Sequence, residues 1–181
     1  MIAMDKQRTI VVAILGAAAL LSGCATPRAP DPTAEVPHCY KTNKGRVIAC
    51  TPVAAPSLNA DAEAKRFVPD RDALTVYVVR RNWGDGRNFV KVSPDGGAGV
   101  DTLPDTMVRF RFKPGTHSVA FEFDGKRQPT KVEGQAGDIR FIRIDGTVWA
   151  WKSTYEWASE PEAATRDRAL KARLVADLVV R

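Results

Sequence analysis

Three cysteines and two histidines are the residues of this 181-residue sequence best suited to covalent or metal chemistry. Ten residues lie between Cys39 and Cys50, too many for a Cys-x-x-Cys redox centre. His38 beside Cys39 raises the question of zinc, yet a structural zinc takes four ligands and His117 lies far along the chain. No serine or cysteine stands in a pattern that His117 would activate. Asp95-Gly96-Gly97-Ala98-Gly99 is rich in glycine but lacks the lysine and the strand–helix setting of a phosphate loop. Asp95, Asp101, Asp105 and Asp124 lack calcium-loop spacing. The expectation is a protein without catalytic residues, metal or cofactor, and not an enzyme.

Cys24 has a sharper context. Lys6 and Arg8 precede an uncharged apolar run from Ile10 to Leu21, about the length of a signal-peptide core and short for a membrane span. Leu21-Ser22-Gly23-Cys24 closes it. Residues 1–23 read as a lipoprotein signal peptide, cut before Cys24. The resemblance to bacterial lipoproteins implies two acyl chains, palmitate among them, on the Cys24 sulfur and usually a third on its amine. At about 0.8 kcal/mol per buried CH₂, such chains form a lasting membrane anchor. Ala25 in place of aspartate implies, by resemblance to enterobacterial sorting, the outer membrane, with the domain facing the periplasm.

The remaining thiols then belong to an oxidising compartment, where a Cys39–Cys50 disulfide is expected. Asn43-Lys44-Gly45 reads as the turn of a small hairpin between them. Seven of the twelve prolines lie in residues 25–70, so residues 24–70 read as lipid anchor and Pro-rich linker carrying this loop. A marginal helix fits Asn59 to Phe67. The balance of 27 basic and 21 acidic residues, +6, suits an anionic lipid or cell-wall surface; nucleic acid is not expected as a partner there.

From about residue 71 the period becomes two. Residues 73–81 are β-branched and apolar on both faces and read as an interior strand. Val108, Phe110 and Phe112, then Val119, Phe121 and Phe123, alternate with polar residues around Pro114-Gly115. This reads as a hairpin with a type II turn, with Arg109 or Arg111 opposite Glu122. Asp145-Gly146 reads as a further hairpin turn. Turns every eight to twelve residues predict a mainly β fold over 71–158, an antiparallel β-sandwich of about seven short strands. Ser159-Glu160-Pro161-Glu162 fits a capping box, and Leu170, Leu174 and Leu178 recur at helical spacing. Residues 159–181 are therefore predicted to form a C-terminal amphipathic helix.

Val76-Tyr77-Val78-Val79-Arg80, Pro114-Gly115-Thr116-His117 and Ala136-Gly137-Asp138-Ile139-Arg140-Phe141 carry a second resemblance. In order and spacing they resemble a family of bacterial lipoprotein domains of unknown function, similar to transthyretin-like and PEGA-type β-sandwiches. Ile139 stands where an aromatic is common. The resemblance implies a structural scaffold and no active site. The remaining surface candidate is Trp149, Trp151, Tyr155 and Trp157, which share one parity. They would stack on sugars or a partner, or else pack beneath the terminal helix. The functional expectation is a non-enzymatic envelope lipoprotein, an interaction or assembly module whose partner is an envelope protein or a cell-wall polymer. The alternatives are a cell-wall glycan-binding module using the Trp-rich strand, or a secretion-system lipoprotein.

Overall fold

The structure, a computed structural model, describes residues 29–81, 84–150 and 152–180. The chain divides into Met1–Pro30 and Asp31–Arg181, and every described element belongs to the second unit. The signal, Cys24 and Trp151 lie outside the described residues.

The unit is mainly β. Strand β3 (Leu74–Arg80) is buried along its whole length, as its two apolar faces require. It is the middle strand of a five-stranded sheet, between β6 (Thr106–Phe112) and β9 (Ile139–Trp149), with β11 (Arg173–Val179) and β10 (Lys152–Trp157) at the edges. A four-stranded sheet runs β5 (Val100–Thr102), β4 (Val90–Pro94), β7 (Gly115–Phe123), β8 (Lys126–Gly134). Val76, Val78, Val108, Phe110 and Phe112 of the first sheet share one apolar cluster with Val90, Val92, Val119 and Phe121 of the second. On the other face of the five-stranded sheet, Tyr77, Val79, Met107, Phe141 and Leu174 form a second cluster with Ala64, Phe67 and Ala169. Those last residues come from helix α1 (Leu58–Ala64), the turn after it and helix α2 (Glu162–Ala169). Phe67 meets Tyr77 and Phe141 edge-on, with centroids 5.1 and 4.9 Å apart.

The Pro-rich stretch expected to be a linker is folded from about Asp31 onward. Strand β1 (Val36–Lys41) pairs with β2 (Val47–Ala55), and the Cys39–Cys50 disulfide joins two residues in register. Pro37 and Pro52 are tolerated because a two-stranded ribbon leaves half of its backbone donors without a ladder partner. Ala55, at the end of β2, is fully buried in the cluster between the sheets. Ser57 caps α1, its Oγ accepting from Ala60 N at 3.2 Å. Asp61 of α1 accepts from Leu174 N at 2.7 Å, and Arg173 Nη2 donates to Pro56 O. On the far side, Trp157 Nε1 donates to Gln128 O and Gln128 Nε2 to Tyr155 O, both at 3.1 Å, fastening β8 to β10.

Other expectations need correcting. Residues 71–158 hold eight strands, β3 to β10, near the number expected there, and β1, β2 and β11 bring the described residues to eleven; the arrangement is mixed and not antiparallel throughout, since β3 runs parallel to β9 and β6 parallel to β11. The C-terminal segment is not an eighteen-residue helix. It forms only α2, and then the chain becomes β11. The leucine repeat suits either element, but Val175, Val179 and Val180 favour a strand and the edge of β6 supplies the backbone partners. A bulge between Leu174 and Ala176 puts Leu174 under the helices and Val175, Ala176 and Leu178 in the other cluster. The predicted capping box is absent: Pro161 is the N-cap, and Glu162 Oε1 accepts from Phe141 N at 2.6 Å.

The phenylalanine hairpin is not a hairpin. β6 and β7 lie in different sheets, so Pro114 and Gly115 turn the chain across the interior, and the two phenylalanine faces meet across it. Arg109 and Arg111 accordingly point away from Glu122 and bind Asp177. Asp145 and Gly146 lie inside β9, and the turn comes at Ala150, whose φ is 53°. Gly146 serves close packing instead, since a Cβ there would sit 2.8 Å from Tyr155 Cε1.

Candidate functional site

Leu74, Val76, Val78 and Arg80 share the face of β3 that points between the sheets, so the strand ends by burying a guanidinium. A charge so placed needs partners. Arg80 Nη1 donates to Asn88 O at 2.9 Å and Thr102 O at 2.5 Å. Arg80 Nη2 donates to Asp85 Oδ2 at 2.6 Å, and both side chains of this ion pair are 1% exposed. Tyr155 reaches the same carboxylate oxygen from β10, donating at 2.5 Å. Asn88 Nδ2 donates to the Tyr155 hydroxyl at 3.0 Å and to Ser153 Oγ at 2.9 Å. Burial, and then the adjacent Asp85 carboxylate, push the Tyr155 phenol up to about 12. The network ties the loop after β3 to β10 and β5. Losing one partner of such a pair costs about 3–5 kcal/mol, because the other charge stays buried.

Two buried polar atoms of this pair have no partner among the described residues: Arg80 Nε and Asp85 Oδ1. Asp85 also lies in the wall of a cleft of about 530 Å³ formed by the loop 84–88, the start of β2 and the β9–β10 hairpin. Arg46 and Arg87 are exposed on its rim, and Val148, Asn88 and Ser153 line it. A second hollow of about 570 Å³ shares Arg46, Ile48, Gly84 and Gly86 with the first and adds Tyr40 and Lys44. The Tyr40 ring lies close over Gly86, where a Cβ would come within 2.5 Å of its Cε1. Such a floor offers hydrogen-bond acceptors and a hydroxyl, and its rim offers positive charge.

The residues singled out from the sequence are dispersed. Trp149 is 82% exposed at the end of β9, one residue from Val148 in the cleft wall. Tyr155 is buried and belongs to the Arg80–Asp85 network. Trp157 turns inward, its ring 5.1 Å from Phe121. The turn at Ala150 puts Trp149 on the opposite face of the β9–β10 hairpin from Tyr155 and Trp157, so these three described aromatics do not form one stacking face. Cys39 and Cys50 are bonded to each other and are therefore not thiolate ligands. Among the described residues no group of three or more His, Cys, Asp or Glu side chains gathers as a ligand set.

His117 stacks on Phe112, with Nδ1 2.7 Å from Asp95 Oδ2 and Nε2 2.8 Å from Lys113 O. Both ring nitrogens face acceptors. Burial opposes ionisation of Asp95, but the Ser118 N–H and His117 outweigh it and hold its carboxyl below the ordinary range. His38 is held below the ordinary imidazole range by burial and then by Arg173.

Arg80, Asp85, Asn88, Arg46 and Arg87 were not among the residues selected from sequence. One signal was present: an arginine on the inward parity of an apolar strand must find a carboxylate, and Asp85 is the first acid after it. Among the described residues no helix is long and apolar enough to cross a membrane. No protein-family model matches this chain and no curated protein matches it in sequence.

Proposed function

We propose that this chain is a non-enzymatic lipoprotein of the cell envelope, held on the periplasmic side of the outer membrane by acyl chains on Cys24. Its folded part is an interaction module. The two sheets are read as a β-sandwich of the transthyretin-like or PEGA kind, extended by the β1–β2 ribbon, the two helices and β11. One observation carries the reading: Leu21-Ser22-Gly23-Cys24 closes an apolar run of signal-peptide length. The Cys39–Cys50 bond agrees with export, and it leaves Cys24 as the thiol available for acylation.

The folded unit begins much closer to the anchor than a linker to residue 70 would allow. Six residues separate Cys24 from Asp31, a reach of at most about 25 Å. Cell fractionation tests the anchor. Cys24→Ala should leave a folded protein in the soluble periplasmic fraction; if the variant stays with the membranes, the reading is wrong.

A further inference from the structure

The cleft beside Asp85 has three chemical features that a single ligand class matches. The Asp85 side chain is 1% exposed, and its Oδ1 lacks a partner while its Oδ2 takes both Arg80 and Tyr155. A buried acceptor left open in this way calls for a donor, because an unsatisfied polar atom is costly. The rim is cationic: Arg46 and Arg87 are exposed and form no salt bridge among the described residues. The floor is partly apolar, with Val148 and Ile48 in the walls and the Tyr40 ring over Gly86. Two hollows of about 530 and 570 Å³ that share four residues make one groove, each part within the range of small-ligand sites.

We propose that this groove binds an anionic saccharide, a short glycan carrying a carboxylate or phosphate. The acid group takes Arg46 and Arg87, a hydroxyl or amide N–H donates to Asp85 Oδ1, and the sugar's apolar face lies along Tyr40 and Val148. Uncharged sugars leave the two guanidiniums without a partner. Simple anions leave Asp85 without a donor. The choice of a saccharide over another ligand with an acid group and a donor rests on the envelope location proposed above, where carboxylated wall sugars and phosphorylated lipid sugars are both at hand.

The test is calorimetric titration of the full-length chain in detergent with three disaccharides. One contains N-acetylmuramic acid, one is a phosphorylated glucosamine disaccharide, and one is the uncharged N-acetylglucosamine dimer. Binding of either charged sugar is expected, the carboxylated one pointing to the cell wall and the phosphorylated one to a lipid headgroup. The uncharged dimer should bind at least about tenfold more weakly. Arg46→Glu with Arg87→Glu should weaken the charged sugar by about tenfold or more, while Arg71→Glu, exposed and outside the groove, should change nothing. Should the double variant fail to fold, salt decides with the wild-type chain, since added sodium chloride must weaken binding that depends on exposed guanidiniums. The proposal is overturned if neither charged sugar binds, if the uncharged dimer binds equally, or if affinity ignores the rim charges and salt. Titration in detergent does not depend on where the protein resides, so its failure is separate from failure of the Cys24 fractionation.

Discussion

Arg109 of β6 and Asp177 of β11 form a two-point pair, Nε to Oδ1 at 3.0 Å and Nη2 to Oδ2 at 2.6 Å. Arg109 Nη2 also donates to Glu63 of α1 at 2.8 Å, and Arg111 reaches Asp177 Oδ1 at 2.9 Å. One carboxylate thus fixes the last strand against β6, and the same arginine holds the first helix over both. Burial works against the charge of Arg109, and its hydrogen bonds to Asp177, Glu63 and Tyr77 outweigh it and raise its pKa. Forked pairs of this kind are among the stronger charged contacts.

Asp177→Ala should therefore destabilise the fold by about 1–3 kcal/mol, less than a fully buried pair because Asp177 keeps 19% of its side-chain exposure. Urea denaturation measures this. A change below about 0.5 kcal/mol would place the pair among ordinary surface contacts.

Tyr155 predicts a pH dependence on the alkaline side. Its folded pKa of about 12 lies above the value near 10 of an unfolded tyrosine. The stabilising contribution is complete below about pH 10 and is lost as pH rises toward 12. Tyr77, raised mainly by burial, adds to the same limb. Stability measured from pH 9 to 12 should fall more steeply in wild type than in Tyr155→Phe. Equal slopes would mean that burial and the Asp85 carboxylate do not hold the phenol in its neutral form.

Reduction of Cys39–Cys50 should cost about 3 kcal/mol in the chain-entropy picture. The effect should extend past the loop, because Ala55 of the same ribbon is in the core. Hydrogen exchange after reduction should rise throughout residues 36–55 while β3 stays protected. Exchange confined to the turn at residues 42–46 would show that the ribbon holds without its bridge.

Gly146→Ala tests the packing against Tyr155. The added methyl would meet that ring at 2.8 Å, and overpacking of this kind costs about 1–3 kcal/mol. Thermal melting should drop for Gly146→Ala and not for Gly125→Ala by any steric route, because a Cβ at Gly125 has nothing within 4 Å and only its φ of 70° resists substitution. A melting temperature unchanged in Gly146→Ala would mean that β9 and β10 are looser than their packing implies.

Local chemistry alone determined several things here. The Cys39–Cys50 bridge with its Asn43-Lys44-Gly45 turn, the mainly β character and the interior position of β3 all rest on patterns within a dozen residues. What tertiary structure decided depends on partners distant in sequence. An alternating segment such as Val108 to Phe112 reads the same whether its apolar face meets a neighbour in the same sheet or a strand of the opposite one. Leu170, Leu174 and Leu178 suit a helix until the open edge of β6 offers a ladder and Asp177 finds Arg109. The Pro-rich stretch looks like a linker until Ala55, Asp61 and Phe67 find places in the fold. The cleft is the extreme case, because Arg46, Asp85 and Val148 come together only when three separate connections meet. Sequence periodicity records which way a side chain faces, and only the packed chain decides what it faces.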